Sequence, residues 1–484
     1  MKRTKIVATL GPASSSKAIL TELVEAGVNV LRINFSHGSA DEHRETVRLI
    51  REILKATGEN VAILADLQGP KLRIGVVEEG AFLEPGDLIT FTTNKCEGTK
   101  ERVYMTYQQF PRDVRAGETI LLDDGKLLFK VLSTNGVDEV LAETIQGGSL
   151  KSKKGVNLPN TRVSLPCLTP KDLADLEVAL DENVDWIGLS FVRSAQDIHE
   201  LRRILDARKH HAGIIAKIEK PEAVADIDAI LAAADGAMVA RGDLGVEVPM
   251  ESVPLIQKMI VSKSIELGKP VIVATQMMES MIESLTPSRA EVNDVANAVM
   301  DGADAVMLSA ETSVGLYPVQ VVQTMARIAE AAERSILCRG KEGEPKEAEG
   351  RFLSNTICYF AAQIADKIEA KAICTLTFSG HSAQLISSFR PHSHIYAFTA
   401  NTKILNKLSL LWGVRGFFYN SMDSTDSTFV DVTAHLKSNG LVASGDRIVQ
   451  LASMPIEARG TTNTIRITIK TVAAIFLTNR NSCG

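Results

Sequence analysis

The stretch VNVLRINFSHGSADEHRETVRLIREILKATGENVAILADL, from Val28 to Leu67, sets two β-branched runs on either side of a segment with helical spacing. VNVLRIN and VAILADL are the length of buried strands, and the apolar residues between Glu42 and Leu54 recur with the period of one helix face. The same unit repeats along the chain. Runs KIVATL, VNVLRIN, VAILADL, DWIGLSF, GIIAKIE, GAMVARGD, PVIVATQ and DAVMLS begin at Lys5, Val28, Val61, Asp185, Gly213, Gly236, Pro270 and Asp304, and Ala18–Ala26, Ile198–Ala207 and Ala290–Met300 are further helical segments between them. Strand and helix alternating eight times predict an α/β fold, a closed (β/α)8 barrel with its helices outside. Chemistry in such barrels sits where strands end and loops begin. Here nearly every run ends in glycine, charged or hydroxyl residues.

At 484 residues the chain exceeds one core, and two or three domains are expected. Its net charge of −6 argues against a nucleic-acid binder, so any anion site must be a local cluster of cations. The six cysteines show no CxxC pair and read as reduced thiols, with a cytoplasmic setting as the default. No stretch approaches the roughly 20 apolar residues of a membrane helix, and the N-terminal run stops at Gly11-Pro12, too short for a signal peptide.

The third run ends near Asp66 and the fourth begins only at Asp185. The intervening strand-like runs FLEPGDLITFTT, TILLDDGKLLFKVLS and EVLAETIQGG predict a small inserted β-barrel at residues 71–166, placed to act as a lid over the site. Residues 1–70 and 167–340 then form the main barrel. The charged segment KEGEPKEAEG reads as a linker, and AKAICTLTF, HIYAFTA and GLVASGDRIVQLAS mark a C-terminal α/β domain over 350–470. Residues 471–484 carry no assignable pattern.

The strand ends supply the candidate groups. Arg32 offers a rigid fork suited to phosphate, and Asn34 and Ser36 offer hard oxygens suited to a cation. Asp66, Lys71 and Arg73 mix a carboxylate with cations after the third run. Alternation puts Lys217 and Glu219 on one face of the fifth, and Asp243 lies between Gly242 and Gly245 after the sixth, so Glu219 and Asp243 make a candidate Mg²⁺ pair. Thr275, Ser309 and Glu311 could carry a proton or cap helices. Taken singly, each group also reads as a capped turn or a buried salt bridge.

Together, RINFSHG, KIEKPEA, ARGDLGVE, TQMMESM and LSAETSVGLYP closely resemble the pyruvate kinase family, in order from about Lys5 to Ile469. The resemblance implies transfer of the phosphoryl group of phosphoenolpyruvate to MgADP, giving ATP and pyruvate. It implies that Arg32 holds the phosphoryl group, that Glu219 and Asp243 bind Mg²⁺ or Mn²⁺, and that Lys217 neutralises developing charge. Backbone groups at Gly242 and Asp243, with Thr275, would bind the substrate carboxylate. Asn34, His37, Arg73 and Lys154 would lie on the nucleotide side, and a homotetramer would be the usual assembly. Protonation of the enolate stays open among Thr275, Ser309, Glu311 and a water.

Two departures stand out. Members that require K⁺ typically carry GPEIR, and their monovalent site uses residues matching Asn34, Ser36, Asp66 and the Leu67 carbonyl. This chain has Gly69-Pro70-Lys71-Leu72-Arg73, and the resemblance links such a lysine to K⁺-independent members. In the C-terminal domain, Thr377, Ser379, Gly380, His381 and Ser382 resemble the loop that holds the phosphate of an effector, a sugar phosphate or nucleotide, with histidine where Arg or Lys is commoner. Two rival readings remain: a lyase or mutase acting on the same substrate, which would need no ADP site, and an inert barrel kept for binding, which would have lost catalytic groups.

Overall fold

Eight parallel strands close on themselves in sequence order: Lys5–Thr9, Val30–Asn34, Ala62–Asp66, Trp186–Leu189, Gly213–Ile218, Gly236–Ala240, Val271–Ala274 and Ala305–Leu308. The computed structural model describes residues 2–334, 340–345, 351–421, 425–454 and 461–469; the patternless tail and part of the expected linker lie outside them. Each strand is shorter than its run; in the last five, polar residues at the run's end, Ser190, Glu219, Arg241, Thr275 and Ser309 among them, leave the ladder to start a loop. Helices ring the barrel, and the one anticipated at Glu42–Leu54 spans Ala40–Thr57. A Ser39–Glu42 capping box starts it, and Gly58 ends it at φ 72°, a conformation that costs glycine little.

Alternation sorts the strand residues into two layers. Ile6, Ala8, Leu31, Ile33, Ile214, Ala216 and Ile218 pack outward into the helix-facing core. Val7, Val30, Ala62, Leu64, Trp186, Ile215, Met238, Ile272 and Ala305 fill the interior. Two residues on from that filling, the same face carries the polar groups that crown the barrel.

The insertion builds a ladder of six strands, Val156–Asn157, Thr119–Leu122, Leu127–Thr134, Glu139–Gln146, Leu88–Thr92 and Arg102–Tyr104 in spatial order, over a core of its own. Residues 73–77 bridge both ends of this ladder, pairing Arg73 with Gly155, Ile74 with Met105 and Val77 with Gly98. The sheet thereby curls shut. On the return path, Arg193 donates to the carbonyls of Val163 and, at 2.7 Å, Leu165, pinning the linker that re-enters the barrel.

The C-terminal sheet runs Val414–Phe418, His394–Thr399, Ala372–Leu376 and Arg447–Ala452 in parallel, with Thr464–Ile469 antiparallel at the edge. The first and last of these five were not anticipated from the sequence. Val414–Phe418 is short and glycine-interrupted, while Thr464–Ile469 has the alternation of a half-exposed strand.

This domain floors the barrel. Leu410 joins the interior filling, Lys407 Nζ lies 4.9 Å from the Trp186 ring centroid, and Lys5 Nζ donates to the Val414 carbonyl at 2.7 Å. Arg390 pairs with Asp304 at 3.1 Å, both buried, and donates to the Gly302 carbonyl at 2.7 Å. The Asp304 carboxylate in turn accepts from the Val271 and Trp412 N–H groups. Breaking a buried pair from one side strands the other charge, so Arg390→Ala is expected to lower stability by about 3–5 kcal/mol. Denaturant unfolding reads the loss, and a change below about 1 kcal/mol would show that the domain contact does not depend on the pair.

Candidate active site

At the top of the barrel the inward-facing positions change from apolar to ionic within one alternation. Val7 is followed by Thr9, Val30 by Arg32, Leu64 by Asp66 and Ile215 by Lys217. Asp66, 1% exposed, lies at the centre. Arg32 donates from Nε to Asp66 Oδ2 at 2.6 Å, pairs with the same oxygen through Nη2 at 2.6 Å, and reaches Thr9 Oγ1 at 3.0 Å. Lys217 Nζ lies 3.2 Å from Asp66 Oδ1 and 2.9 Å from Glu219 Oε1, and donates to Ser190 Oγ at 2.6 Å. The 3.2 Å contact is an ion pair lying off hydrogen-bond geometry, since Oδ1 accepts no well-aligned donor. Glycine at position 188 leaves room for this carboxylate, since a Cβ there would crowd Asp66 Oδ1 at 3.0 Å.

The ion pairs fix the charge states. Burial disfavours the Lys217 ammonium, but Asp66 and Glu219 outweigh it and raise its pKa above that of an ordinary lysine. Lys217 is therefore a permanent cation, unsuited to act as a general base. Burial would likewise raise Asp66, yet Lys217 and Arg32 hold it below the usual carboxylate range. Glu219 goes the other way: burial, with the Asp243 charge adding to it, pushes its carboxyl up despite Lys217. A buried and a half-buried carboxylate that repel one another suit a divalent cation that completes its shell with substrate oxygens and water. Glu219 Oε2 also accepts from the Phe191 N–H at 2.7 Å, which orients it.

The loops after the sixth and seventh strands interlock. Thr275 Oγ1 donates to the Ala274 carbonyl at 2.6 Å and accepts from the Gly242 N–H at 2.8 Å. Thr275 and Gln276 hold φ of 67° and 53°, which is strained for side-chain-bearing residues and acute for a β-branched one. Arg241 supports this turn, donating from Nη2 to the Thr275 carbonyl at 2.6 Å while pairing with Asp294 at 2.7 Å. Glu311 ties in the eighth strand's loop by accepting from the Ser309 N–H at 2.6 Å and the Met278 N–H at 3.1 Å, and burial pushes its pKa up.

The remaining candidates lie around this centre. Asn34 Oδ1 accepts from the Ser36 N–H at 3.1 Å, and the Leu67 carbonyl accepts from Ser190 Oγ at 2.7 Å. His37 is exposed on the barrel rim. Arg73 and Lys154 lie together on the insertion, Arg73 on the Lys153 carbonyl and Lys154 2.8 Å from Asp123. The exposed Lys71 side chain has no carboxylate partner among the described residues and lines a cavity of about 70 Å³ between insertion and barrel, with Asp243 on the opposite wall. Thr9, Ser190 and Arg241 are contacts that the sequence reading did not single out. Continuing the inward alternation from Val7 and Trp186 would have pointed to the first two; nothing local marks Arg241.

Residues 1–322 match the family described as "Pyruvate kinase, barrel domain", and residues 355–468 match "Pyruvate kinase, alpha/beta domain". The chain belongs to the pyruvate kinase family. It is 44% identical to the pyruvate kinase of Geobacillus stearothermophilus over 96% of this chain and 80% of that one. The Corynebacterium glutamicum pyruvate kinase is likewise 44% identical, over 96% and 97%. A crystal structure of a pyruvate kinase from Cryptosporidium parvum superimposes with a TM-score of 0.89 at 34% identity, covering 97% of this chain and 96% of that one. The chain is thus a kinase, and no helix among its described residues is long and apolar enough to cross a membrane.

Proposed function

We propose that the chain transfers the phosphoryl group of phosphoenolpyruvate to MgADP, forming ATP and pyruvate. The observation that carries this reading is the convergence of Arg32 and Lys217 on Asp66 beside the Glu219 carboxylate. Phosphoryl transfer needs positioning and charge neutralisation more than covalent chemistry, and both cations are held rigid before substrate arrives.

Arg32 takes the transferring phosphoryl oxygens. As the bond from phosphorus to the enol oxygen breaks and the bond to the ADP oxygen forms, negative charge grows on the enol oxygen, and Lys217 stabilises it. Glu219 and Asp243 would hold Mg²⁺ or Mn²⁺, which when bound would supply further positive charge to the substrate. Backbone groups of Gly242 and Asp243, with Thr275, receive the substrate carboxylate, with the strained turn keeping the Thr275 hydroxyl in place. His37, Arg73, Lys154 and Asn34 take the nucleotide side. Proton delivery to the enolate falls to Thr275, Ser309 or Glu311 with a water. The elevated Glu311 pKa suits a proton carrier, and its two backbone hydrogen bonds suit a loop brace.

Lys71 replaces the monovalent cation in this reading. Support comes from the oxygens that would otherwise hold K⁺: the Asn34 amide and the Leu67 carbonyl already accept hydrogen bonds within the chain, and Asp66 is neutralised by two cations. The chain is also read as cytoplasmic and as a homotetramer, and exposed Leu353 and Phe360 on the helix Phe352–Lys367 favour such assembly.

In the C-terminal loop, an effector phosphate would meet the start of the helix His381–Ser388. Thr377 Oγ1 already accepts from the Gly380 N–H at 2.9 Å, and Ser382 pairs with Thr375 at 2.7 Å. Burial, with Arg351 adding to it, lowers the His381 pKa, so this site holds an uncharged ring and binds phosphate more weakly than an arginine would.

A coupled assay tests the reading: pyruvate should form from phosphoenolpyruvate only when ADP is present. ADP-independent turnover would favour a lyase or mutase, and no turnover an inert barrel. Lys217→Ala should lower kcat by at least about 10²-fold, the scale for losing one preorganised charge-stabilising group; near-wild-type kcat would end its assigned role. Activity without K⁺ is expected, with a K⁺ requirement appearing in Lys71→Glu, and strong K⁺ stimulation of the unmodified enzyme would refute this. Sugar phosphates or AMP should shift the phosphoenolpyruvate saturation curve, and a flat response to the whole panel would remove the effector site.

A further inference from the structure

Among the described residues, one side-chain bond joins the insertion to the barrel away from the hinge that Arg193 pins. Asn157, on the two-residue strand Val156–Asn157, donates from Nδ2 to Glu247 Oε1 at 2.8 Å. Glu247 closes the short helix Arg241–Glu247 that begins beside Gly242 and Asp243. Asp243 and Glu247 are four positions apart, which puts both on one helix face, and both line the cavity beneath the insertion. The same Oε1 accepts from Lys220 Nζ at 2.7 Å, and Lys220 directly follows Glu219. One carboxylate oxygen thus links the insertion to both elements that carry the candidate metal ligands.

The contact is built to part. The Glu247 side chain is 1% exposed, yet its Oε2 has no hydrogen-bond partner. If Asn157 leaves, Lys220 still neutralises Glu247, so opening strands no bare charge, and the carboxylate gains water. If Asn157 returns, it restores a charge-assisted hydrogen bond, the stronger kind, at the cost of that hydration. Opening thus exchanges one hydrogen bond for hydration of the carboxylate, and a bound ligand can bias that exchange.

We propose that Asn157 and Glu247 form a latch that holds the insertion closed over the nucleotide and couples closure to the Glu219 and Asp243 loops. Both are positioning residues. The inference rests on the reading above, in which ADP enters between insertion and barrel.

The test is steady-state kinetics of Asn157→Ala in the full-length enzyme, with hydrogen exchange followed over residues 156–165. KM for ADP is expected to rise about 10-fold, while KM for phosphoenolpyruvate and the melting temperature stay near wild type and ADP ceases to protect the lid amides. Glu247→Gln keeps an acceptor for Asn157 but removes the charge opposite Lys220, so it should raise KM for ADP less than Asn157→Ala does while lowering the melting temperature. An unchanged KM for ADP in Asn157→Ala would overturn the latch. Equal losses for both substrates with a lowered melting temperature would also overturn it, assigning the contact to structure alone. Failure of the unmodified enzyme to form pyruvate with ADP would instead sink the underlying function.

Discussion

Asp66 is the charge around which the barrel mouth is arranged. A carboxylate this deeply buried is expensive unless it is paired, and two cations, Arg32 from the adjacent second strand and Lys217 from the fifth, meet that need at once. Both cations would repel one another without it. The acid therefore does more than balance charge: it fixes the position of two groups that would otherwise swing on long side chains, so their ordering entropy is lost during folding and not during catalysis. Gly188 makes room for it and Thr9 holds the far side of Arg32.

Much of this centre could be read from the chain because strand alternation is a local rule. Once Val30 and Ile215 are placed inside, Arg32 and Lys217 must follow, and Glu219 with them. What alternation cannot supply is register between strands, and the contacts of Ser190 with Lys217 and of Thr9 with Arg32 depend on it. Arg241 is less legible still. Its guanidinium shapes the Thr275 turn from 34 residues away, and in sequence it is one more charge in a glycine-rich loop. The positive φ at Thr275 runs against residue preference, as strained functional turns do.

The curling of the inserted sheet was likewise half visible. Alternating runs announced strands, but closure depends on residues 73–77, which form isolated bridges and no regular strand. Those bridges set Arg73 beside Gly155 and so bring the two linkers of the insertion together at its base. The Asn157 contact lies close to that base, two residues beyond Gly155, and joins it to the helix Arg241–Glu247.

The floor of the barrel has a different kind of consequence. Because Leu410 fills the interior from below and Lys407 covers the Trp186 ring, part of the catalytic domain's packing is encoded some hundred residues beyond that domain's last strand. Exchanging the C-terminal domain for that of a relative is therefore a repacking problem as much as a regulatory one. A chimera would need to carry the residue 407–416 segment in a form matched to its host barrel. The floor segment and the strand starts above it must therefore match in size and charge within one chain.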